Sequence, residues 1–337
     1  MRSLTTRPDL HDSALALKKM ASTVTSTKLL TVIAMVAFAA NPLICRLALG
    51  QQLIDAASFT SVRVVSGAVT LALIMFPRWR RRGRGLVDWR SVSMLFIYMV
   101  FFSFAYLSLS ASTGTLLLFG AVQFTMFIAA MRDGERFTLL SWTGFFLASI
   151  GLIYLVLPGI TSPDPLGATL MLIAGVAWGG YSLFGRSAAD PLESNAINFI
   201  YSVPMAIIVT LLFVDDLHYT WIGLSLAAVS GAIASGIGYA IWYAALRGLT
   251  ASRAATVQLS VPTIAAFGGI IFLSEPASLR LVVASALTLG GIAIVLAQRS
   301  IAADPMYGLL QPNFLGWKST KTNGVHTCPI QLQLGST

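Results

Sequence analysis

Charge is scarce in this sequence. Only 10% of its 337 residues are Asp, Glu, Lys or Arg, whereas 56% are hydrophobic. Soluble domains carry about 25% charged residues, so a mean hydropathy of +0.79 excludes a mostly water-facing surface. Cysteine is nearly absent as well. Cys45 lies inside an apolar run and Cys328 in a polar tail, which excludes a disulfide framework and a metal-ligand spacing. All thirteen acids fall in tails, loops or helix ends, and His11, His218 and His326 lie outside the apolar runs. A mid-membrane carboxylate or histidine relay is therefore not available, and no metal or other cofactor is implied. The expected energetics are exchange, facilitated movement, or coupling through Glu135, Glu275 or Asp55.

What the chain does have is long apolar runs. Crossing the ~30 Å hydrocarbon layer takes roughly 20 helical residues. Ten segments fit: 29–49, 56–76, 91–110, 113–131, 139–157, 166–185, 196–214, 221–246, 251–273 and 279–297. The one from Trp221 looks overlong. Breakers such as Pro158-Gly159 and Glu275-Pro276 mark the connections. Continuous apolar runs, rather than an alternating pattern, predict helices and not barrel strands. The fold class expected is an all-α integral membrane protein with ten transmembrane helices. Residues 1–27 read as a polar N-terminal tail, with Met20 a candidate start, and 298–337 as a polar C-terminal tail. The run after Lys18-Lys19 holds Pro42 and Arg46 without a small-residue cleavage site, so it reads as a retained first helix.

The formal charge of +9 has a direction. Arg78, Arg80, Arg81, Arg82, Arg84 and Arg90 crowd the connection between helices two and three. Cations in short loops mark the cytoplasmic side, which places both termini there in a cell membrane. Arg280 alone dissents. A lipid-headgroup or nucleic-acid patch is the lesser reading of the cluster, and no nucleic-acid partner is expected.

Sliding the chain against itself by 140 residues aligns its halves without a gap. Residues 30–49 and 170–189 share eight identities in twenty, among them Arg46 with Arg186. Phe59 meets Phe199, Val69-Thr70-Leu71 meets Val209-Thr210-Leu211, Ala111-Ser112 meets Ala251-Ser252, Glu135 meets Glu275, and Gly151 meets Gly291. Apolar composition does not align arginines, glutamates and glycines. Each half, 28–157 and 166–297, would hold five helices, and an odd number inverts the second half relative to the first. Inverted repeats with a midplane site belong to secondary transporters.

Several segments also resemble the EamA-type drug/metabolite transporter superfamily. They are Phe59-Thr-Ser-Val-Arg63, Gly134-Glu135-Arg136, Ala240-Ile-Trp-Tyr-Ala-Ala-Leu-Arg247 running into Ala254-Ala255-Thr-Val-Gln258-Leu-Ser-Val-Pro262, and Ser274-Glu275-Pro276. The resemblance covers about 29–297. It implies two five-helix EamA repeats, cytoplasmic termini and carriage of metabolites, often outward. The family often has a proline midway along helix four, where this chain has Val122-Gln123; Pro262 occupies the equivalent place in helix nine.

Polar groups inside spans are costly and mark candidate sites. Arg63 lies about eight residues into helix two and reads either as a ligand for a carboxylate or phosphate, or as a snorkelling or structurally paired cation. Arg46 and Arg186 read as snorkelling. Gln123 and Gln258 are candidate substrate contacts, with Pro262 freeing the Gln258 carbonyl one turn before it. Asn41, Tyr181, Trp178, Tyr106 and Tyr243 are candidates for the same cavity, although packing explains a lone aromatic equally well. Glu135 and Glu275 read as caps of the helices that follow them, with gating the lesser alternative. Gly175, Gly179, Gly231 with Ser235, and Gly268-Gly269 read as close helix packing.

The function expected is a secondary transporter, of probable export direction, for small polar or anionic metabolites, with homodimerisation left open. A non-transporting sensor or assembly protein is the alternative. A lipid-modifying enzyme would need an acid, histidine or metal cluster, and Asp215-Asp216-Leu-His218 is the nearest to one.

Overall fold

The computed structural model describes residues 10–132, 137–159, 162–185, 188–246 and 257–302, with side chains described between residues 27 and 297, Leu246 excepted. Among these the only extended pairing is a single bridge between Ile54 and Tyr219. The helices are α1 (Leu10–Gly50), α2 (Ala56–Arg82), α3 (Trp89–Ala105), α4 (Ala111–Arg132), α5 (Leu139–Val156), α6 (Pro165–Gly185), α7 (Pro191–Leu212), α8 (Trp221–Val229), α9 (Gly238–Leu246), α10 (Ser260–Leu273) and α11 (Leu279–Ala302). Eight helical stretches are long and apolar enough to cross a membrane, and α3 and α10 are shorter apolar helices. The chain is an all-α, multi-pass membrane protein.

The differences from the sequence expectation have local causes. Helix α1 begins at Leu10 and meets no glycine or internal proline before Pro42, while its apolar, membrane-crossing stretch is Thr27–Gly50. The overlong eighth run is helical throughout, but Ser230–Ile237 between α8 and α9 is a π-turn. Such a turn spends extra residues on the same height and often accompanies functional sites. The third run stops at Ala105 instead of 110, since the Tyr106 amide is shared by the Phe102 and Ser103 carbonyls at 3.4 and 3.2 Å, which tightens the chain into a turn. Of the ninth run, 251–256 lie outside the described residues, and a turn at Leu259 precedes α10. Pro262 thus sits in the first turn of α10, where its missing N–H would have no partner anyway.

Few as they are, the acids are used at helix starts. Asp55 accepts the Ser58 amide at 2.7 Å, Asp88 the Arg90 amide at 3.2 Å, and Asp190 the Leu192 amide at 3.1 Å. Each satisfies a backbone donor that the first helical turn leaves free and favours the positive end of the helix dipole.

Packing sorts the helices. α4 is the most enclosed span, with 61% of its apolar window buried, and α5 the least, with 33%. Around α4, helix α6 packs on both α3 and α4, α2 on α7, and α1 on the α8–α9 rod and on α10. Large side chains such as Leu73, Leu212 and Phe272 stand outward, the arrangement expected where lipid is the solvent. Lipid gives no hydrophobic drive for helix association, so close backbone approach carries it. A Cβ at Gly175 would lie 2.6 Å from the Ala121 Cβ and 2.7 Å from the Leu118 carbonyl oxygen of α4. Gly144 faces the Gly291 carbonyl at 2.6 Å in the same way.

By contrast, a methyl at Gly290 would project into open space. Gly175→Ala is expected to destabilise the bundle by about 1–3 kcal/mol through overpacking. Gly290→Ala should be neutral or stabilise by up to ~1 kcal/mol through helix propensity. Thermal unfolding of the detergent-solubilised variants checks the contrast in sign.

Candidate functional site

Two turns into α2, Arg63 is 0% exposed and is, among the described residues, the only fully enclosed cation. Its Nη2 donates to the Tyr98 hydroxyl at 3.0 Å, and its guanidinium lies 5.4 Å from the Tyr98 ring centroid and 4.9 Å from that of Phe102. Nε and Nη1 have no hydrogen-bond partner. Two ion pairs occur among the described residues, Arg46 with Glu275 and Arg78 with Asp190, and neither involves Arg63. Snorkelling is thereby set aside for this side chain.

The magnitudes do not balance without an additional partner. Taking a charge out of water costs several kcal/mol after relaxation. One charge-assisted hydrogen bond contributes about 1.5–3 kcal/mol and a desolvated cation–π contact about 2 kcal/mol. Two N–H nitrogens left bare each add a further desolvation cost. A carboxylate or phosphate reaching Nε and Nη1 would supply both the missing hydrogen bonds and the counter-charge.

An aromatic wall surrounds the guanidinium. Tyr98 lies 4.8 Å from Trp178, which lies 5.5 Å from Tyr181 and 5.4 Å from Tyr239; Phe102 lies 4.8 Å from Tyr106, and Tyr239 6.5 Å from Tyr243. Trp178, Tyr181, Tyr106 and Tyr243 are thus joined to Arg63 through Tyr98, Phe102 and Tyr239. Asn41 belongs to the same centre. It accepts the Ser230 hydroxyl at 2.6 Å at the head of the π-turn, and the next residue, Gly231, is pressed against the Arg63 backbone carbonyl and the Ser66 hydroxyl. A side chain there would push the α8–α9 rod off α2.

Gln123 is elsewhere. It lines a small apolar cleft formed by α4, α5 and α11, with Phe124, Phe127, Phe145, Ala148, Ile292, Val295 and Leu296. Gln258 is half-buried just before the Leu259 turn, and Leu259 packs against the apolar group of Ala148, Ile292 and Leu296. Neither amide has a hydrogen bond to the Arg63 group. Glu135 lies outside the described residues.

Glu275 caps a helix, but not the one that follows it. Its carboxylate accepts the Ala111 amide at 2.7 Å, the Ser112 amide at 3.4 Å and the Ser112 hydroxyl at 3.2 Å, all at the start of α4. The following helix is capped instead by Ser278, whose hydroxyl accepts the Leu281 amide at 3.1 Å. Ser274 has a left-handed backbone, φ 53°, and this turn directs Glu275 back across the bundle. Arg46 joins it at 3.9 Å while donating to the Tyr106 and Leu107 carbonyls at 3.1 and 3.3 Å. Close by in sequence to α2, Asp55 accepts the His218 amide at 3.2 Å. At the other end of α2, Glu193 accepts the Trp79 indole N–H at 2.9 Å and the Gly85 amide at 3.0 Å, and Arg78 meets Asp190 at 3.2 Å. Both ends of the bundle are therefore tied between residues before 133 and residues after 188. His218 hydrogen-bonds the Asp216 carbonyl and is exposed, so Asp215, Asp216 and His218 build no enclosed acid–base centre.

Tyr98, Phe102 and Tyr239 were not singled out by sequence reasoning, because nothing separates them from the other aromatics of a span. Asn198 did carry a signal, as an amide inside the seventh apolar run; Asn195 stands just before that run, and both are buried.

With this geometry in view, the comparisons with known proteins converge. The EamA-like transporter family matches residues 165–297. An uncharacterised protein of Pseudomonas aeruginosa is 49% identical over 273 residues, 81% of this chain and 95% of the relative. The chain belongs to the EamA-like transporter family. An EamA-type member of the drug/metabolite superfamily is a membrane transporter, and its relatives agree. An uncharacterised transporter of Archaeoglobus fulgidus is 27% identical, covering 63% of this chain and 80% of the relative. The threonine/homoserine exporter RhtA of Salmonella typhimurium is 28% identical, covering 66% and 76%. One solved crystal structure shares the fold with a TM-score of 0.57 at 16% identity, over 83% of this chain and 99% of its own.

The Glu275 cap predicts a stability difference. Glu275→Ala should destabilise the EamA protein by about 1–3 kcal/mol, because buried amides at the start of α4 lose their acceptor. Glu275→Gln keeps an acceptor oxygen and should cost less than half as much. Thermal unfolding of the three proteins in the same detergent checks the order.

Proposed function

We propose that this EamA transporter is a secondary carrier that exports small polar or anionic metabolites across the cell membrane by alternating access, with Arg63 as the anion-binding group. The observation that carries the reading is the enclosed guanidinium with two bare N–H nitrogens and, among the described residues, no acid paired with it. A soluble anion arriving at the centre of the bundle completes the charge balance that the chain leaves open.

Alternating access rests on the repeat. Exchanging the two halves by the 140-residue offset turns the α3–α6 contact into that of α1 with the α8–α9 rod. It turns α4–α6 into α10–α1, and maps α2–α7 onto itself; all of these contacts are present. Phe59 and Phe199, aligned in sequence, are both fully buried. This exchange supports two inverted five-helix repeats, 28–157 and 166–297, around one central site. The ties at the two ends of α2 then read as gates that need not be closed together, and the π-turn beside Arg63 as the place where the α8–α9 rod bends.

The arginine-rich end of α2 supports a cytoplasmic position for the α2–α3 connection and for both termini. Export is supported by the exporter RhtA among the relatives. The partners of this reading are the metabolite and the bilayer, with homodimerisation left to measurement. Its carrier role needs no enzymatic step.

The test is counterflow into liposomes loaded with a mixed pool of small carboxylates. Wild type should exchange labelled carboxylate. Arg63→Gln should reduce exchange at least tenfold while inserting normally, and Arg63→Lys should rescue it only in part, because an ammonium cannot present the guanidinium fork. Undiminished exchange by Arg63→Gln removes Arg63 from the site.

A further inference from the structure

A second buried donor without a partner lies two turns from Arg63 along the seam of α2 and α7. The Tyr181 hydroxyl and the Asn195 Oδ1 are 2.6 Å apart, and Asn198 Nδ2 reaches the same hydroxyl at 3.5 Å. A separation of 2.6 Å is an O–H···O distance, shorter than the N–H···O range, so the hydroxyl donates its one proton to Oδ1. That fixes the amide. The NH₂ of Asn195 points away from Tyr181, carries two hydrogens, and has no acceptor although the residue is 0% exposed. The reason for its burial is not the fold of α7, whose first turn is already capped by Asp190.

The two groups are linked by a chain of ring and hydrogen-bond contacts. Arg63 bonds Tyr98, Tyr98 lies 4.8 Å from Trp178, Trp178 5.5 Å from Tyr181, and Tyr181 bonds Asn195. One turn beyond Arg63, Gly67 faces the Phe199 ring, and Phe199 is one turn beyond Asn195 on a helix packed against α2. At 1.5 Å per residue the two positions differ by roughly 12 Å in height, before either side chain reaches inward. The fully buried polar atoms left without a partner along this wall are all N–H donors: Arg63 Nε, Arg63 Nη1 and Asn195 Nδ2. An ammonium group would find no acceptor among them, whereas oxygen acceptors would satisfy all three.

We propose that Asn195, oriented by Tyr181 and Asn198, is a second substrate-binding group of the Arg63 site. The structure assigns the substrate class as elongated organic anions: a carboxylate at Arg63, a flat or apolar body along Tyr98 and Trp178, and an uncharged hydroxyl or carbonyl oxygen at Asn195. This rests on Arg63 being the anion site, and the test separates the two statements.

The probes are 4-hydroxycinnamate, cinnamate, which lacks the far oxygen, and tyramine, which lacks the carboxylate. Binding is measured on the purified full-length protein. Wild type should bind 4-hydroxycinnamate at least tenfold more tightly than cinnamate and should not bind tyramine. Asn195→Asp keeps the acceptor for Tyr181 and removes the amide donor; it should bind the two carboxylates equally. Arg63→Gln should lose both. Equal affinities in wild type overturn the proposal without any variant. A tenfold preference that survives Asn195→Asp overturns it while leaving Arg63 in place, provided Arg63→Gln still loses both probes. Undiminished binding by Arg63→Gln, tyramine binding as tight as the carboxylates, or no carboxylate binding to wild type overturns the Arg63 reading and this one with it.

Discussion

An arginine enclosed by aromatic rings, with no acid paired to it among the described residues, is the constraint on which the rest of this structure turns. In a medium of low dielectric a lone cation is tolerated only where other groups hold it in place. Here the hydroxyl of Tyr98 and the faces of Tyr98 and Phe102 do so in part. They leave two donors open. The proposed binding role rests on that incomplete satisfaction: a structural arginine in a span would be expected to have its carboxylate within the protein, as Arg46 has Glu275.

The surrounding helices hold that cation by close packing in the middle of the bundle and polar ties at its ends. Glycines set close approaches where helices cross, as at Gly175 against α4 and Gly231 against the Arg63 carbonyl. Close backbone contact stabilises through packing and does not require long side chains to interlock, so one helix can tilt on another at little cost. The few charged groups outside the centre are placed at the ends. Glu275 and Arg46 tie one end to the start of α4, and Glu193, Arg78 and Asp190 tie the other to α7. Hydrogen bonds and ion pairs near the ends can exchange with water, which makes them cheaper to break than contacts at the centre. Between the ends, the π-turn Ser230–Ile237 places irregular backbone where Asn41 and Arg63 meet the α8–α9 rod.

Much of the architecture was legible because membrane spans obey one rule: a continuous apolar run of about 20 residues. The runs and the 140-residue offset follow from composition and pattern. Arg63 was legible as a costly residue in a span, and Asn41, Trp178, Tyr181, Tyr106 and Tyr243 fall around it. Helix rotation was not legible. Gln123 and Gln258 were grouped with Arg63 on their depth in the spans and, for Gln258, on the carbonyl freed by Pro262, and the structure turns Gln123 into a cleft among α4, α5 and α11. The partner of Glu275 was hidden for a related reason. Sequence shows a carboxylate before a helix, whereas the left-handed Ser274 sends it to a different helix more than 160 residues away in the chain. Asn195 stood too close to a helix start to look buried, and only the packing of α7 against α2 and α3 encloses it.

The central claim is that the missing partner of Arg63 is the anion of the substrate. A structure of the purified protein at high resolution, with and without a bound small carboxylate, tests it most directly. The account predicts carboxylate oxygens within hydrogen-bond distance of Arg63 Nε and Nη1 in the first and not in the second. A carboxylate bound elsewhere, with Nε and Nη1 satisfied by the same protein atoms in both structures, would contradict it.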